Sequence, residues 1–591
     1  MSSIRRTYPI RSLVFGTAVL VLTGAVSCGA ETFSCSSKPK KDETIAPRAT
    51  HKRAAVNDRW GGHIKLPSPE PEYLNPAIST TFDRVNMQIF EGLMGMAIGA
   101  DGTIEAVPRL AVTAPTVSKD QRTITFTLRK DVKWSDGKPF TAKDVEFTYH
   151  AIMNTKARTV WKAYMPADAW PKSGVKAQGD YSVVVKYTEP SPLGVTAWIM
   201  GIIPRHVYCD TTSKTPCEKQ DVVSNDKANK TSPIGTGPFK LRRWEPGERI
   251  ILAKNPLWWY GKIWAKKHNS KQTLPYLESV ELVFNIKDTQ ALDALQKGTI
   301  DFARIGSIKQ WSVEAQRPEF LERYRVAERS EPRIRMIAWN NLRGPFQNRR
   351  VRIALTYAAN RPGMIEDLLL QQAEPLSAPF FPTMFGADQS IAPYPYSLET
   401  ASKMLDAAGY KKKPDGTRFS IDMILRAINR GRIAEHVLSM YRADLKKIGI
   451  DLRVHFLKAE EYRRKIDLKE YDAVYLGWVP DVPDPDPWSL LHSDQVDRGY
   501  NYPKYINEQV DKLLEQARKT TVKAKRAKLY HQVHKIVHED EPYTMLFAPK
   551  GHYAWSRRIH SVRPEDIGPQ PRFPGLARWW VDKVARAAPK Q

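Results

Sequence analysis

The sequence predicts an α/β protein of more than one domain, and three observations carry that expectation. The chain is 591 residues long, more than one hydrophobic core serves. Between Trp60 and about Ser330, short runs of β-forming residues are punctuated by Gly, Pro and Asp. Beyond Pro332, runs with apolar residues at helical spacing alternate with short β-rich runs, as βαβ units require.

The chain opens with Arg5, Arg6 and Arg11 before an uncharged, mostly apolar run over residues 12–26. That run is too short for a comfortable membrane span, and it ends in Ala25-Val26-Ser27-Cys28. Charge, length and small-residue exit predict a signal peptide over residues 1–27. The last four residues are similar to a bacterial lipobox, with Ala25 where leucine is usual, so lipidation of Cys28 is the expectation. Plain cleavage and an uncleaved anchor are the alternatives. Residues 28–56 are rich in Ser, Lys, Pro, Thr and Ala and cannot offset the entropy of ordering, so they read as a disordered tether. No later stretch reaches the length of a membrane span.

In the first half, residues 123–128, 181–187 and 249–253 read as strands, and residues 141–153 as a helix. Thr141 would cap that helix, with Asp144 three residues on. Cys209 and Cys217 flank a polar loop. In an exported chain they read as a local disulfide, with free thiols or metal ligands as alternatives. In the second half, helices are expected over residues 348–359, 397–408, 432–448 and 508–518. Strands are expected over 334–338, 419–425, 451–456 and 472–476.

Several constellations carry no chemistry. The net charge of +27 is scattered along the chain, so a solvated basic surface explains it and no nucleic-acid partner is expected. His531, His534 and His538 share a helical spacing, but Leu529, Val533, Ile536 and Val537 mark the buried face, so the histidines should meet water and hold no metal. Gly235-Thr236-Gly237-Pro238 reads as a turn before a strand, and Glu460-Glu461 as a solvated face. No hydrolase or nucleotide-binding motif occurs, so neither an enzyme nor a cofactor is expected.

One loop stands apart. GWVPDVPDPDPW, residues 477–488, interleaves Asp481, Asp484 and Asp486 with prolines that fix φ and remove backbone donors. Such a loop is rigid and can hold a carboxylate still.

Separate stretches in family order resemble the family 5 extracellular solute-binding proteins, the peptide-binding components of ABC importers. They include YLNPAI (73–78), WSDGKPFTAKDVEFTY (134–149), GTGPFKLRRWEPGERIILAKNPLWWYG (235–261), FQNRRVRIALTYAANR (346–361), YDAVYLGWVPDVPDPDPW (471–488) and EDEPYTMLF (539–547). The resemblance covers about residues 60–560, departing from the family at a Lys-rich insertion over 262–273 and a long loop over 209–231.

The resemblance implies a two-lobed fold, like the type II periplasmic-binding-protein class that takes peptides, with a hinge and an interlobe ligand cleft. Lobe I would comprise residues 57–330 with 550–591 returning to it, and lobe II residues 331–549. The implied function is capture of a peptide or peptide-like solute, with an oligosaccharide, opine or metal complex as the alternative. A monomer would deliver it to an inner-membrane ABC permease from the periplasm or cell envelope.

In similar peptide binders, an aspartate three positions after Gly-Trp receives the ligand's α-ammonium; here Gly477-Trp478 leads to Asp481. Loop bracing is the alternative for Asp481, and the expected role of Asp484 and Asp486. Trp478 is either pocket wall or core. Six residues before Asp481, where some members carry an arginine for the ligand's carboxylate, this chain has Tyr475. Thr80, Thr81 and Phe82 fall beside the Leu74-Asn75-Pro76 motif, as a ligand loop of lobe I or a plain exposed loop.

Overall fold

The computed structural model describes residues 59–79, 83–98, 104–154, 159, 161, 174–187, 190, 193–331, 333–382, 384–479, 486–567 and 575–582. The expected signal peptide and tether, Cys28, Thr80, Thr81, Phe82, Asp481 and Asp484 lie outside the described residues.

In the first part, alternation places the strands. In Thr123–Thr127 the side chains of Ile124 and Phe126 are buried while the threonines face outward. They lie in register with Val185 and Val183 of the antiparallel strand Ser182–Lys186. The helix Ala142–Asn154 starts where expected, but the cap is reversed: Thr141 donates from its N–H (2.8 Å) and hydroxyl (3.2 Å) to the Asp144 carboxylate. A second sheet orders His63–Pro67, Ser279–Val283, Arg249–Lys254 and Phe239–Glu245, with its first pair parallel. Gly235 and Gly237 precede it, because a Cβ at Gly235 would sit 1.9 Å from the Ile89 carbonyl oxygen. A disulfide joins Cys209 and Cys217, whose Cα atoms are 5.1 Å apart. One core, including Phe126, Trp134, Trp198 and Val280, unites these elements with Tyr553, Ile559 and Val581 from the end of the chain.

The second part is built on βαβ logic. Phe419–Arg426 and Ile450–Leu457 pair in parallel, with the helix Ile433–Lys447 between them, and Ala473–Trp478 adds in parallel on the other side. Helix caps come from Asn348 and Ser397, whose side chains accept from Arg350 N–H (2.9 Å) and Thr400 N–H (3.1 Å). The sheet has buried residues on both faces, Ile337 and Tyr475 on one, Met336 and Val474 on the other. The protein thus has the α/β two-lobed fold.

One element eluded the sequence pattern. Tyr543–Ser556 is a single strand of 14 residues, where Pro549 and Gly551 suggest a turn. Its first half pairs with Ile334–Trp339 and Ala373–Pro375. From Lys550 onward it pairs with Tyr324–Ser330, and at Tyr553–Trp555 with Phe302–Arg304.

The histidine face is corrected as well. His534 is buried, not solvated: it stacks on Phe380, accepts from Asp388 N–H at Nδ1 (3.0 Å) and bonds Ser377 Oγ through Nε2 (3.0 Å). The helix Lys523–Asp540 buries Tyr530, Val533, His534 and Val537, a stripe offset from the one the aliphatics alone suggested. Burial pushes the His534 pKa down to about 4, and it does the same to His552, which bonds Gln372 and stacks on Trp311. Both rings are therefore neutral when folded, while in the unfolded chain they take up protons near pH 6.5. Stability should fall as pH drops from about 6.5 towards about 4, each histidine contributing about 2 kcal/mol of loss by pH 5. Urea midpoints at pH 7 and pH 5 measure this, and His534→Leu should flatten the acid slope.

Candidate functional site at the crossing between the lobes

Residues 331–333 carry the chain from Tyr324–Ser330, whose Tyr324 and Val326 pack into a core on the first side, to Ile334–Trp339 in the cores of the second. At this crossing the Glu331 side chain is 1% exposed. A bare carboxylate so deep would be costly, but Arg333 Nε approaches to 2.7 Å, Arg304 Nε to 3.3 Å, and the Tyr553 hydroxyl donates to it. Arg304 also pairs with Asp288 through Nη1 (2.9 Å), and these two carboxylates raise its pKa despite burial. Gly551 is required here, since a Cβ would come within 2.3 Å of Glu331 Oε1.

Around this cluster lie two further cations. Arg84 is half-buried and within electrostatic reach of Tyr553 and Asp288, and desolvation lowers its pKa. Arg335, also half-buried and lowered by desolvation, faces Tyr475, Arg333 and Arg304. Four guanidinium groups thus surround two carboxylates among the described residues, an arrangement that favours an anionic group of a bound solute.

The Gly-Trp strand forms one wall of this region. Ile334–Trp339 and Ala473–Trp478 run antiparallel, with Arg335 opposite Gly477 and Ile337 opposite Tyr475. Tyr475 is buried, its hydroxyl is without a hydrogen-bond partner, and burial pushes its pKa up to about 12. Trp478 is half-buried against the second part's core and meets Tyr500 edge-on at 5.7 Å, so it belongs to both core and surface.

The far end of the proline-rich loop is pinned. Asp486 accepts from Trp488 N–H (3.0 Å) and from Arg518 Nε (2.7 Å), and the Arg518 guanidinium lies 4.0 Å over the Trp488 ring. Trp488 in turn stacks on buried His492. Both ends of residues 480–485 are therefore held by ordered structure.

A sequence model of the bacterial extracellular solute-binding proteins, family 5, matches residues 105–499. The chain belongs to this family. It is 26% identical over 469 residues to an oligopeptide-binding protein of Bacillus subtilis, covering 77% of this chain and 80% of that protein. With the dipeptide-binding protein of Escherichia coli it shares 28% over 508 residues, 80% and 87% of the two chains. The fold matches the solved Bacillus subtilis oligopeptide-binding protein AppA in complex with a nonapeptide, with a TM-score of 0.69 at 23% identity over 89% of this chain and all of that one.

Sequence reasoning named Tyr475 and Gly477 but missed Arg84, Glu331 and Arg335. Nothing local marks these among so many basic and acidic residues. The one signal was that Glu331 and Arg335 flank a domain change at Pro332, where charged side chains have to be accommodated between two cores. Glu331→Ala should remove the carboxylate from Arg333 and the Tyr553 hydroxyl and leave Arg304 with Asp288 alone, at a cost of about 2–3 kcal/mol of stability, read from urea unfolding. Asp288→Ala, at a half-exposed carboxylate, should cost under about 1 kcal/mol.

Proposed function

We propose that this protein captures a peptide between its lobes and delivers it to an inner-membrane ABC permease. The observation that carries the reading is membership of family 5, with resemblance to named peptide binders along four fifths or more of their length. The two-lobed fold and the charged crossing support it. Lobe I would take residues 57–330 and 550–591, and lobe II 331–549. A ligand that touches both lobes only when they are closed shifts the population to the closed state, which the permease then recognises. No bond is made or broken in such a cycle, so the protein acts as a binder and not as an enzyme.

Asp481 is assigned the ligand's α-ammonium, and Gly477, Trp478, Tyr475, Thr80, Thr81 and Phe82 are the further residues proposed to contact the ligand. Asp486, which accepts from Trp488 N–H and Arg518, anchors the far end of the Asp-Pro segment that contains Asp481, and the prolines of that segment limit its backbone freedom in any state. The N-terminal sequence supports export, with Cys28 as the lipid-anchored first residue of a monomer in the periplasm or cell envelope. No helix among the described residues is long and apolar enough to cross a membrane.

Pools of random short peptides should raise the thermal midpoint, since a ligand that binds only the folded state stabilises it. A shift with sugars or metal complexes and none with peptides overturns the peptide reading. Asp481→Ala should weaken binding of a free-amino peptide by about 3–5 kcal/mol, because it leaves the ammonium desolvated and unpaired. Equal binding of N-acetylated and free peptides by the unaltered protein would remove Asp481 from that role.

A further inference from the structure

We infer that the helix Trp259–Lys267 and the turn after it form a face that docks on anionic phospholipid headgroups. The inference goes beyond solute capture and does not depend on which solute is carried. It begins from the stretch over 262–273 where the chain departs from its family, because nothing in the proposed function uses it. From Arg249 to Leu277 the sequence holds six Lys and Arg residues and no Asp or Glu. Two of the six are spent inside the fold, Arg249 on Glu245 and Glu281, and Lys254 on the Thr273 carbonyl (2.6 Å). The other four, Lys262, Lys266, Lys267 and Lys271, are exposed, and none forms an ion pair among the described residues.

Helical spacing gathers these lysines. Gly261 and Ala265 are buried, while Lys262 and Lys266, one turn apart, share the outer face with Ile263 and Lys267. Ile263 is 36% exposed and puts an apolar side chain among the ammonium groups. The support beneath is firm. Trp264 stacks on His268 at 4.4 Å and meets Trp60 and Tyr276 edge-on at 5.9 and 5.6 Å. A Cβ at Gly261 would sit 2.3 Å from the Leu274 carbonyl oxygen, so the helix lies directly on the returning chain. Lysines around a shallow apolar spot, on a base that does not yield, match the charged headgroup layer of a bilayer.

Position decides the occupant. The described chain begins at this face: Trp60 Nε1 donates to the Thr273 carbonyl (2.9 Å) and Gly61 N–H to the Tyr276 carbonyl (2.8 Å). Its last described segment returns to the same place, where the Arg59 guanidinium lies 5.7 Å over the Trp580 ring. Beyond Asp582 the sequence adds Lys583, Arg586 and Lys590 and no acid. Thirty residues separate Arg59 from Cys28, the residue assigned the lipid. A flexible chain of that length spans about 30 Å, so a bilayer holding Cys28 is within reach of the lysines at high effective concentration. A headgroup layer also needs no matched shape, which suits a short exposed helix better than a protein groove does.

The test uses the full chain with Cys28→Ser, so that no acyl chain carries it to the bilayer. Sedimentation is measured with vesicles of phosphatidylcholine, alone or mixed with phosphatidylglycerol. Affinity for the mixed vesicles should exceed that for the neutral ones by about 100-fold at low salt, and high salt should remove most of the excess. Lys262→Gln, Lys266→Gln, Lys267→Gln and Lys271→Gln together should lower affinity for the mixed vesicles about 30-fold or more and leave the neutral ones unaffected. Lys411→Gln, Lys412→Gln and Lys413→Gln, at three exposed lysines of the second part, should change it less than about twofold. Equal binding to both kinds of vesicle overturns the lipid assignment and leaves an acidic protein surface as the partner. A loss as large in the triple variant as in the quadruple one overturns the face itself in favour of net charge alone. Solute binding plays no part in this readout, so its failure and that of the peptide reading stay apart.

Discussion

The crossing depends on one buried carboxylate. Glu331 sits between the strands Tyr324–Ser330 and Ile334–Trp339, and its neighbours come from three separate stretches: Arg304, Arg333 and Tyr553. Each has its own place in the sheet, with Arg304 ending one strand, Tyr553 in the long strand, and Arg333 one residue before Ile334–Trp339. Because a deep charge tolerates little displacement of its partners, satisfying Glu331 fixes the relative register of these strands at the crossing. Everything proposed for ligand binding sits on the framework that this register sets.

The same framework decides which charges are spent and which are left over. Glu331 absorbs Arg304 and Arg333, and Asp288 shares Arg304. Arg84 and Arg335 have no comparable partner among the described residues. The surplus positive charge arises from this local pairing, and it differs in kind from the +27 of the whole chain, which is scattered along the sequence.

Much of the architecture was legible because local pattern and tertiary role agree. Ile124 and Phe126 alternate with threonines and become an inward-facing strand, and Asn348 and Ser397 cap helices as their side chains allow. The exceptions have physical causes. Pro549 and Gly551 disguised the longest strand, because proline and glycine read as a turn unless one knows that two different lobes pair on either side of them. His534 was misjudged because aliphatic spacing fixes only the centre of a buried stripe, while Ser377 and the Asp388 N–H, distant in sequence, make its burial tolerable. At the crossing, Tyr475 was named from its place before a Gly-Trp pair in the family pattern, whereas Arg335 gains its place only from Gly477 across the ladder, and Asp481 lies outside the described residues.

The continuous strand Tyr543–Ser556 has a mechanical consequence. Its first half is stitched to Ile334–Trp339 and Ala373–Pro375 and its second half to Tyr324–Ser330 and Phe302–Arg304, so both sets of strands hold the same length of backbone. Sliding one set past the other would break those stitches one after another, and no unpaired residue separates them, because Pro549 pairs with Ala373 and Lys550 with Ser330. Tension applied at one end of the ribbon is therefore carried along an unbroken ladder to the strands at the other.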